Sequence, residues 1–571
     1  MKNTIKKLLA ICLTLAMVCV LFAACGETAA ESSAAASAES AVASTVVPPA
    51  DDAEEASAAP EASAEEAVEI PEDDFFPLEE TQEITLWNSF PSDLSTYASS
   101  QEDMAFTKNV EEALNVDLVM TNVSDIEVDT LFPLMLATGD YTDLIMFGKY
   151  TDSMETAVEE EIVLDFTEYV DEYCPHYKAI VDSDPIGYSA FTTDDGRYCA
   201  FYGVYTDGAP VQNGLATRSD WLKEAGFDAV PATIDGIEEY LFALKDNGHS
   251  NALWMDSNGA YFTNVLSAAF GVGTGWGGNP FILEDGEVVC SALQPGMKDY
   301  LQTLSNWYKN DLIDKDFATN FAVYMTDIGD VLNGKVGIWM DVGDRFATLE
   351  EQVTSNEPVD MMAIPYPTLK EGEENHYVLY REHSRGSLVQ WVVSGTCENI
   401  ELVLRFMDYG FTDDGYLLYN WGIEGDSYTV NEDGKKVFTE KVLEHPLGLT
   451  RGLELYAVSY LPCVYDYDID EVKNAGCADD VKVWSDSAGD GANLFSLNNL
   501  STEESEIVNG TGANDYNTYY KEQALRFMTG ELNFDKDWDN FIANIETMNV
   551  QDICDAYQAA YDRVLEKTGM N

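Results

Sequence analysis

The chain has 571 residues, with 103 Asp and Glu against 30 Lys and Arg, so its formal net charge is −73. So acidic a surface repels phosphate backbones and anionic lipid, which argues against nucleic-acid binding, nucleotide substrates and electrostatic attraction to membranes. Hydrophobic residues make up 46% of the chain, enough to bury the cores of two to four domains, and neutral ligands remain the natural candidates.

The first 25 residues have the pattern of an export signal. Lys2, Lys6 and Lys7 precede an uncharged apolar run, residues 8–24, which suits a signal-peptide core better than a membrane span. Small residues then precede Cys25, as in the lipobox of bacterial lipoproteins, although Phe22 stands where Leu is usual. We expect Cys25 to carry the lipid that anchors the protein on the outer face of the membrane. The alternative is ordinary secretory cleavage.

An acidic segment follows the signal. Residues 26–80 contain 16 acidic residues and no basic one, and Ala, Ser and Pro supply most of the rest. Such a segment cannot bury enough apolar surface to offset its ordering entropy, so the sequence predicts a disordered tether.

The chain from residue 81 onward is predicted to alternate strands and helices. Residues 83–87, 116–120 and 143–147 read as β-strands, with a polar helical stretch between the first two. This order is typical of a parallel sheet covered by helices. Later strand-like runs are residues 251–255, 334–339 and 388–393. In such folds ligands bind beyond the carboxyl ends of strands, so functional residues are expected in the loops that follow these runs.

Two nucleotide-binding motifs fail on context. Residues 273–278 spell GxGxxG, but a helix-like segment precedes them and Asn279-Pro280 follows, so a flexible loop is the better interpretation. Residues 329–335 fit GxxxxGK, but Val336 replaces the Ser or Thr that holds magnesium. The predicted order there is also helix then strand, the reverse of a P-loop.

No catalytic or metal motif stands out. The five histidines include no HExxH pattern, and there is no GxSxG elbow. Paired carboxylates are too numerous to identify a glycosidase. Seven cysteines follow the export segment without a CxxC pair, and we expect buried free thiols; Cys463 and Cys477 are the one pair that would close a short loop.

Two acidic runs resemble calcium loops. Asp466 begins one that fails because Cys477 occupies its twelfth position. Asp535 to Glu546 fits better, but Trp538 and the apolar residues after it recur at helical spacing. An amphipathic helix with an acidic first turn is therefore the simpler interpretation, and no metal or other cofactor is expected.

Four stretches resemble the extracellular solute-binding protein family 1, the carbohydrate-binding lipoproteins of ABC importers. Residues 136–145 (LATGDYTDLI) are similar to the family's ASGDYPDII segment, and residues 217–226 (TRSDWLKEAG) resemble its RKDWLDKLG. Residues 422–428 (GIEGDSY) resemble its GIEGxxY stretch. FMTG at 527–530, Trp538 and YQAAYDR at 557–563 resemble its C-terminal signature. The resemblance covers residues 81–571, but the calcium loop of large relatives is reduced here to residues 246–251.

The resemblance implies a two-lobed periplasmic-binding-protein-like fold of type II, in the α/β class. Each hinged lobe is expected to contain a mainly parallel sheet flanked by helices, with the ligand in the cleft between them. We assign residues 81–206 and 381–440 to lobe 1. Residues 207–380 and 441–571 are assigned to lobe 2.

A sugar binder needs exposed aromatic rings, because pyranose faces stack on them, and planar polar groups for the hydroxyls. The aromatic candidates lie in glycine-rich or strand-end positions, with core packing as the alternative for each: Trp254, Trp276, Trp339 and Trp421. Trp391, flanked by valines, is expected in the core.

The polar candidates follow predicted strands, and each has a solvated loop position as its alternative. They are Asn88, Lys149, Tyr150, Asp341 and Arg345. Arg218 is expected to form a structural ion pair rather than to contact ligand.

We predict a non-catalytic, monomeric receptor that captures an oligosaccharide, closes around it and presents it to membrane permease subunits. An exported glycan hydrolase or lyase is one alternative. A surface adhesin or sensor without an importer is another, and a receptor of the same architecture for a peptide or other organic solute is the third.

Overall fold

The computed structural model describes most of the chain from Phe75 onward. The described residues are 75–90, 94, 97–125, 127–206, 211, 213–249, 251–255, 262–272, 281–284, 286–319, 328–343, 345–354, 358–373, 375, 386–446, 449–457, 461–488 and 500–569. The predicted signal peptide, Cys25 and most of the predicted tether therefore lie outside the described residues. So do Trp276 and the GxGxxG motif around it.

The last residues of the predicted tether belong to the folded body. Phe75, Phe76 and Leu78 pack against the core of the first sheet, and the backbone N–H of Leu78 donates to the carbonyl of Leu114 at 3.0 Å. The side chain of Asn115 donates to the Leu78 carbonyl at 2.7 Å. These apolar side chains interrupt the acidic composition and bury surface, so the prediction that the tether extends to residue 80 is wrong for residues 75–80.

Thirteen strands are found among the described residues. They are β1 (Gln82–Phe90), β2 (Val116–Ser124), β3 (Leu144–Met146), β4 (Phe201–Val204), β5 (Asn213–Arg218), β6 (Asn251–Leu253), β7 (Phe281–Glu284), β8 (Glu287–Cys290), β9 (Val336–Val342), β10 (Met361–Ile364), β11 (Gly386–Val393), β12 (Tyr428–Val430) and β13 (Lys436–Phe438).

Helices fill most of the intervals between strands. The α-helices of the described residues are Ala105–Leu114, Val128–Thr138, Met154–Glu159, Val170–Tyr173, Pro175–Asp182, Pro185–Phe191, Ser219–Glu224, Ile234–Asp246, Phe262–Ser267, Gly296–Lys309, Ile328–Leu332, Arg345–Gln352, Ile400–Tyr409, Asp413–Asn420, Glu440–Leu443, Leu449–Tyr456, Tyr467–Lys473, Ala478–Ser487, Thr502–Val508, Thr511–Thr529, Trp538–Glu546 and Val550–Thr568.

The first sheet has the strand order β2-β1-β3-β11-β4. β1 runs parallel to both β2 and β3, with Leu86 opposite Met120 on one side and Leu144 on the other. The predicted βαβαβ unit is therefore confirmed. β11 pairs antiparallel with β3 and with β4, so this later strand reverses the parallel run.

The second sheet has the order β10-β5-β9-β6 and is mixed rather than mainly parallel. β6 and β9 are parallel, whereas β5 is antiparallel to both β9 and β10. Continuous apolar strands occur in both orientations once both sheet faces are covered, so their sequences alone did not indicate the direction.

Each sheet has its own hydrophobic core. We call the first sheet with its core the first lobe and the second sheet with its core the second lobe. Leu461 and Cys463, which the sequence assigned to lobe 2, pack in the core of the first lobe. A smaller cluster around Trp421 and Phe438 spans residues 421–469. The exact lobe boundaries stay a prediction.

Two described chain segments that cross between the lobes are paired with each other. The chain passes from the first lobe to the second between β4 and β5, and again between Cys463 and Trp484. We call the described residues before these two passages, 203–206 and 463–467, the crossing segments. The N–H of Val204 donates to the Cys463 carbonyl at 2.8 Å, and the N–H of Tyr465 donates to the Val204 carbonyl at 2.9 Å. The two crossing segments are thus paired with each other on the first lobe.

The rejected motifs have the structures that their context indicated. Helix Ile328–Leu332 precedes strand β9, so the GxxxxGK match is not a P-loop. Trp538–Glu546 is a helix that buries Phe541 and Ile545, so the calcium-like run is amphipathic as predicted. The seven cysteines of the described residues are unpaired, and burial raises the pKa of Cys463 to about 12. In the described part of the chain no helix is long and apolar enough to cross a membrane.

Candidate functional site

The first sheet contains a topological switch point between β1 and β3. The crossover from β1 to β2 goes to one side of β1, and β3 lies on the other side. Ligands of open α/β sheets bind at the carboxyl ends of the strands that flank such a point. The carboxyl ends of β1 and β3 carry three predicted site residues, namely Asn88, Lys149 and Tyr150.

Asn88 faces the interior at the carboxyl end of β1. Its side chain is 1% exposed, and its amide nitrogen donates to the side-chain oxygen of Gln101. Its Oδ1 atom has no hydrogen-bond partner within the described part of the chain and borders a cavity of about 20 Å³, which has room for one water molecule. In this structure Asn88 is therefore a buried residue at the strand end, and its contact with a ligand stays a prediction.

Tyr150 presents a second buried polar atom without a partner among the described residues. Its ring stacks on Phe147, with 4.6 Å between centroids, and its hydroxyl group is buried. Burial raises the pKa of this phenol, and Asp152 and Glu160 raise it further, so the hydroxyl stays protonated. A buried hydroxyl without a partner marks a position where another molecule can supply the missing hydrogen bond.

Lys149 is neutralised by an acidic neighbour. Its Nζ atom lies 2.7 Å from Oδ1 of Asp129, and both side chains are more than half exposed. The β3 end therefore offers an aromatic ring and a hydroxyl group, but not an unpaired positive charge from Lys149.

The carboxyl ends of β6 and β9 share an edge of the second sheet, because these strands are parallel. Trp254 follows β6 and is 6% exposed. Asp341 is fully buried near the end of β9 and accepts hydrogen bonds from the Trp339 indole at 2.6 Å and from the Val342 N–H at 2.9 Å. The guanidinium of Arg345 lies 3.1 Å from Asp341. Asp341 therefore positions both Trp339 and Arg345.

Two predicted stacking rings are core residues, and these interpretations are corrected. Trp339 and Trp421 are 0% exposed. The Trp421 indole donates to Oδ2 of Asp466 at 2.7 Å, and its ring stacks on Phe438 with 4.5 Å between centroids. Because both indoles satisfy their N–H groups in the interior, neither presents a face to a ligand in this structure. Trp391, at 1%, is buried as predicted.

Sequence reasoning missed a cluster of three tyrosines at the crossing segments. Tyr465 lies between Tyr205, at 4.7 Å between ring centroids, and the core of the first lobe. Tyr205 also contacts Tyr467, at 5.9 Å. All three rings are half-buried. This tyrosine cluster lies where the chain leaves the first lobe for the second.

A further aromatic group lies in the chain after β1. Tyr97 is 46% exposed, and its ring packs on the imidazole of His445 at 4.9 Å between centroids. His445 in turn lies 6.3 Å from Tyr456. Neither Tyr97 nor the tyrosine cluster belongs to a sequence motif. To predict these residues, one would have needed to know the order of the strands in the sheets.

Arg218 lies outside the candidate site and is paired within the protein. Arg218 forms a bidentate ion pair with Asp220, with contacts of 3.0 and 2.6 Å, and its guanidinium lies 4.2 Å from the centre of the Trp221 ring. The predicted structural role of Arg218 is thus confirmed. Among the described residues, no group of three or more His, Cys, Asp and Glu side chains is arranged to hold a metal ion.

Sequence comparison links the chain to bacterial transport lipoproteins. No family model matches it. It is 22% identical to lipoprotein LipO of Bacillus subtilis (strain 168) over 364 residues, which are 62% of this chain and 69% of LipO. It is 24% identical to the fructooligosaccharide ABC transporter substrate-binding protein FusA of Streptococcus pneumoniae serotype 4 over 315 residues, which are 52% of this chain and 56% of FusA.

Structural comparison extends over most of the chain. Alginate-binding protein AlgQ2 superposes with a TM-score of 0.65 at 21% identity, covering 85% of this chain and 99% of AlgQ2. FusA in complex with kestose gives a TM-score of 0.67 at 18% identity, covering 84% of this chain and 99% of that structure. The chain has the fold of solute-binding proteins. The predicted two-lobed α/β fold and the resemblance to sugar-binding receptors of ABC importers are confirmed.

Proposed function

We propose that this chain is the substrate-binding lipoprotein of an ABC transporter, capturing an oligosaccharide between its lobes and delivering it to a membrane permease. The observation that carries this proposal is the match of the whole two-lobed body to FusA and AlgQ2, both of them carbohydrate-binding proteins by name. Fold alone does not determine function, so the site must support the same conclusion.

The candidate site has the chemistry of a neutral sugar binder. The tyrosine cluster and Tyr150 offer ring faces and phenol groups, which suit the apolar face and the hydroxyls of a pyranose or furanose. Lys149 and Arg345 are each paired with a carboxylate, so they are not free counter-charges for an acidic sugar. With a net charge of −73, the protein repels anionic glycans at long range.

The ligand would contact both lobes. On the first lobe we place Tyr150 and the tyrosine cluster, with Asn88 supporting the strand end. On the second lobe we place Trp254 and Arg345, with Asp341 holding Arg345. Trp276 stays a prediction. Closure follows if the ligand binds the closed arrangement better than the open one.

The remaining parts of the proposal concern the setting of the protein. We propose that Cys25 carries a lipid, that the acidic segment after it is a spacer, and that the receptor is a monomer on the outer face of the membrane. LipO, named as a lipoprotein, supports the anchor. The relatives are substrate-binding proteins, which supports binding without turnover.

Ligand screening tests the proposal. Purified protein is scanned for thermal stabilisation by kestose and other neutral oligosaccharides, and by alginate and galacturonan oligosaccharides as anionic counterparts of similar length. At a ligand concentration of about 100 Kd, binding adds about 2.7 kcal/mol to the free energy of unfolding. Stabilisation by a neutral oligosaccharide supports the proposal. Stabilisation by anionic oligosaccharides alone would contradict the proposal that the ligand is neutral. Stabilisation by peptides alone would contradict the proposal that the ligand is an oligosaccharide.

A further inference from the structure

The two lobes touch through polar contacts some distance along the chain from the crossing segments. On the first lobe these contacts involve the loop after β3 and the turn at Asp194. On the second lobe they involve the helices Thr502–Val508 and Val550–Thr568, whose buried residues belong to the second core. Such contacts fix the angle between the lobes only if their donors and acceptors are themselves held in one arrangement.

The strongest of these contacts centres on Arg563. Its Nε atom lies 2.8 Å from Oδ1 of Asp194 on the first lobe. Its two terminal nitrogens lie 2.7 and 2.5 Å from the two carboxylate oxygens of Glu504 on its own lobe. Lys567, one helical turn later, lies 3.2 Å from the same oxygen of Asp194. Glu504 therefore fixes the guanidinium group of Arg563, and the Nε–H group of Arg563 donates to Asp194 on the first lobe.

Glu504 is itself held in place. It belongs to a capping box, in which the Ser501 hydroxyl accepts from the Glu504 N–H and the Glu504 carboxylate accepts from the Ser501 N–H at 2.9 Å. The Glu504 side chain is 12% exposed and that of Arg563 is 27% exposed. An ion pair whose partners are fixed in advance loses less side-chain entropy than an ordinary surface pair.

Two neutral contacts lie next to the candidate ligand site. The side chain of Asn509 donates to the Thr151 carbonyl at 2.7 Å. The hydroxyls of Ser153 and Thr502 lie 3.2 Å apart. Thr151 and Ser153 lie one and three positions after Tyr150 in the chain, so a movement of the loop after β3 would act on these contacts.

We infer that Asp194, Arg563 and Lys567, together with the Thr151–Asn509 and Ser153–Thr502 contacts, form a clasp that holds the lobes in the arrangement of this structure. The clasp sets how often the ligand-free protein adopts this arrangement. Ligand affinity depends on that population, because energy spent on changing the arrangement is taken from binding. The inference deepens the proposed function, and the expected effect of the clasp on ligand affinity rests on that function.

A distance measurement on ligand-free protein tests the clasp without reference to any ligand. Spin labels are placed on cysteines introduced at two exposed positions, Glu172 on the first lobe and Glu522 on the second, in a chain whose other accessible cysteines are serine. Asp194→Asn removes the charge that Arg563 and Lys567 share. Asp195→Asn is the matched control, since Asp195 pairs with Arg197 at 2.9 Å within the first lobe.

The clasp predicts that Asp194→Asn, and about 1 M NaCl on the parent protein, move the distance distribution away from that of the parent at low salt. Asp195→Asn leaves the distribution unchanged. If both Asp194→Asn and Asp195→Asn give the distance distribution of the parent protein, the proposed clasp is contradicted. A double-mutant cycle with Arg563→Gln adds a quantitative check, with an expected coupling of at least about threefold in the equilibrium.

Binding measurements separate this inference from the proposed function. With a bound oligosaccharide in hand, Asp194→Asn changes its Kd by about threefold or more, tighter if the labels have moved towards the ligand-bound distance and weaker if away. An unchanged Kd and distance in a protein that binds oligosaccharide overturn the clasp alone. A parent protein that binds no oligosaccharide overturns the proposed function alone, because the ligand-free distances still test the clasp.

Discussion

The ring of Tyr465 occupies the space that a side chain on Gly203 would fill. A β-carbon built on Gly203 collides with the Tyr465 hydroxyl and with the adjoining ring carbons. Because residue 203 has no side chain, the ring of Tyr465 on one crossing segment can pack directly against the backbone of the other. The tyrosine cluster depends on this close approach.

Gly203→Ala is expected to displace the Tyr465 ring and to lower the free energy of unfolding by about 1 to 3 kcal/mol. Chemical denaturation measures the loss. Gly512→Ala is the control, because Gly512 lies within a helix and a β-carbon added there would lie 3.8 Å from the Met548 carbonyl oxygen, an ordinary contact. Alanine at this position is therefore expected to be tolerated or mildly stabilising. Equal stability of the Gly203→Ala variant and the parent would show that the segments do not pack as described.

Asp466 is expected to make stability depend on pH. Burial alone raises the pKa of this carboxyl, but hydrogen bonds from Tyr416, Trp421 and Lys436 outweigh burial and lower it below the usual value of 3.8. A carboxyl whose folded-state pKa is lowered contributes stability above its unfolded-state pKa, and this contribution disappears as the pH falls through the folded-state pKa. The contribution of Asp466 is thus complete at neutral pH and lost below about pH 4.

Asp466→Asn tests this sign. The variant is less stable than the parent at pH 7, by about 1 to 3 kcal/mol, and the difference shrinks as the pH falls below 4. Denaturation at a series of pH values gives the difference directly. The exposed neighbour Asp468 provides the control variant Asp468→Asn, for which a small effect is expected. A difference that grows in acid would contradict the argument.

The tyrosine cluster is expected to carry part of the ligand affinity. Tyr205→Ala and Tyr467→Ala each remove a half-buried ring of the crossing segments, and each is expected to weaken oligosaccharide binding about tenfold. Tyr205→Phe and Tyr467→Phe keep the ring and are expected to keep most of the affinity. Titration calorimetry distinguishes these outcomes, and full affinity in both alanine variants would remove the cluster from the site.

Trp421 is expected to behave in the opposite way. Trp421→Phe loses the hydrogen bond to Asp466 and leaves a cavity beside Phe438, so the free energy of unfolding falls by about 1 to 3 kcal/mol. Oligosaccharide affinity should stay within about twofold of the parent. A large loss of oligosaccharide affinity with unchanged stability would instead indicate that Trp421 contacts the ligand.

The sequence predicted the elements that depend on local pattern. Residues 83–87 and 143–147 were predicted as strands from their β-type residues, and they contain β-strands β1 and β3. The Trp538 helix was recognised from its spacing of apolar residues. Strand direction was not predictable for β11, because its neighbours β3 and β4 lie far away in the chain.

The site was harder to predict because exposure depends on distant partners. Trp421 precedes a glycine-containing stretch and looked available, but Asp466, 45 residues later, binds its indole. Tyr205 and Tyr465 are 260 positions apart and meet only because two crossing segments pair. Asn88 and Tyr150 were chosen as residues that follow strands, and both have a buried polar atom without a partner among the described residues; their role in ligand binding stays a prediction.

Binding without turnover is the central claim, and one measurement tests it most directly. The purified protein is dialysed to equilibrium against a labelled neutral oligosaccharide that stabilises it, and the ligand is then recovered after prolonged incubation and chromatographed. The account predicts about one equivalent bound per chain and recovery of the ligand at its original length. Shortened or modified products, or no saturable binding by any neutral oligosaccharide, would contradict it.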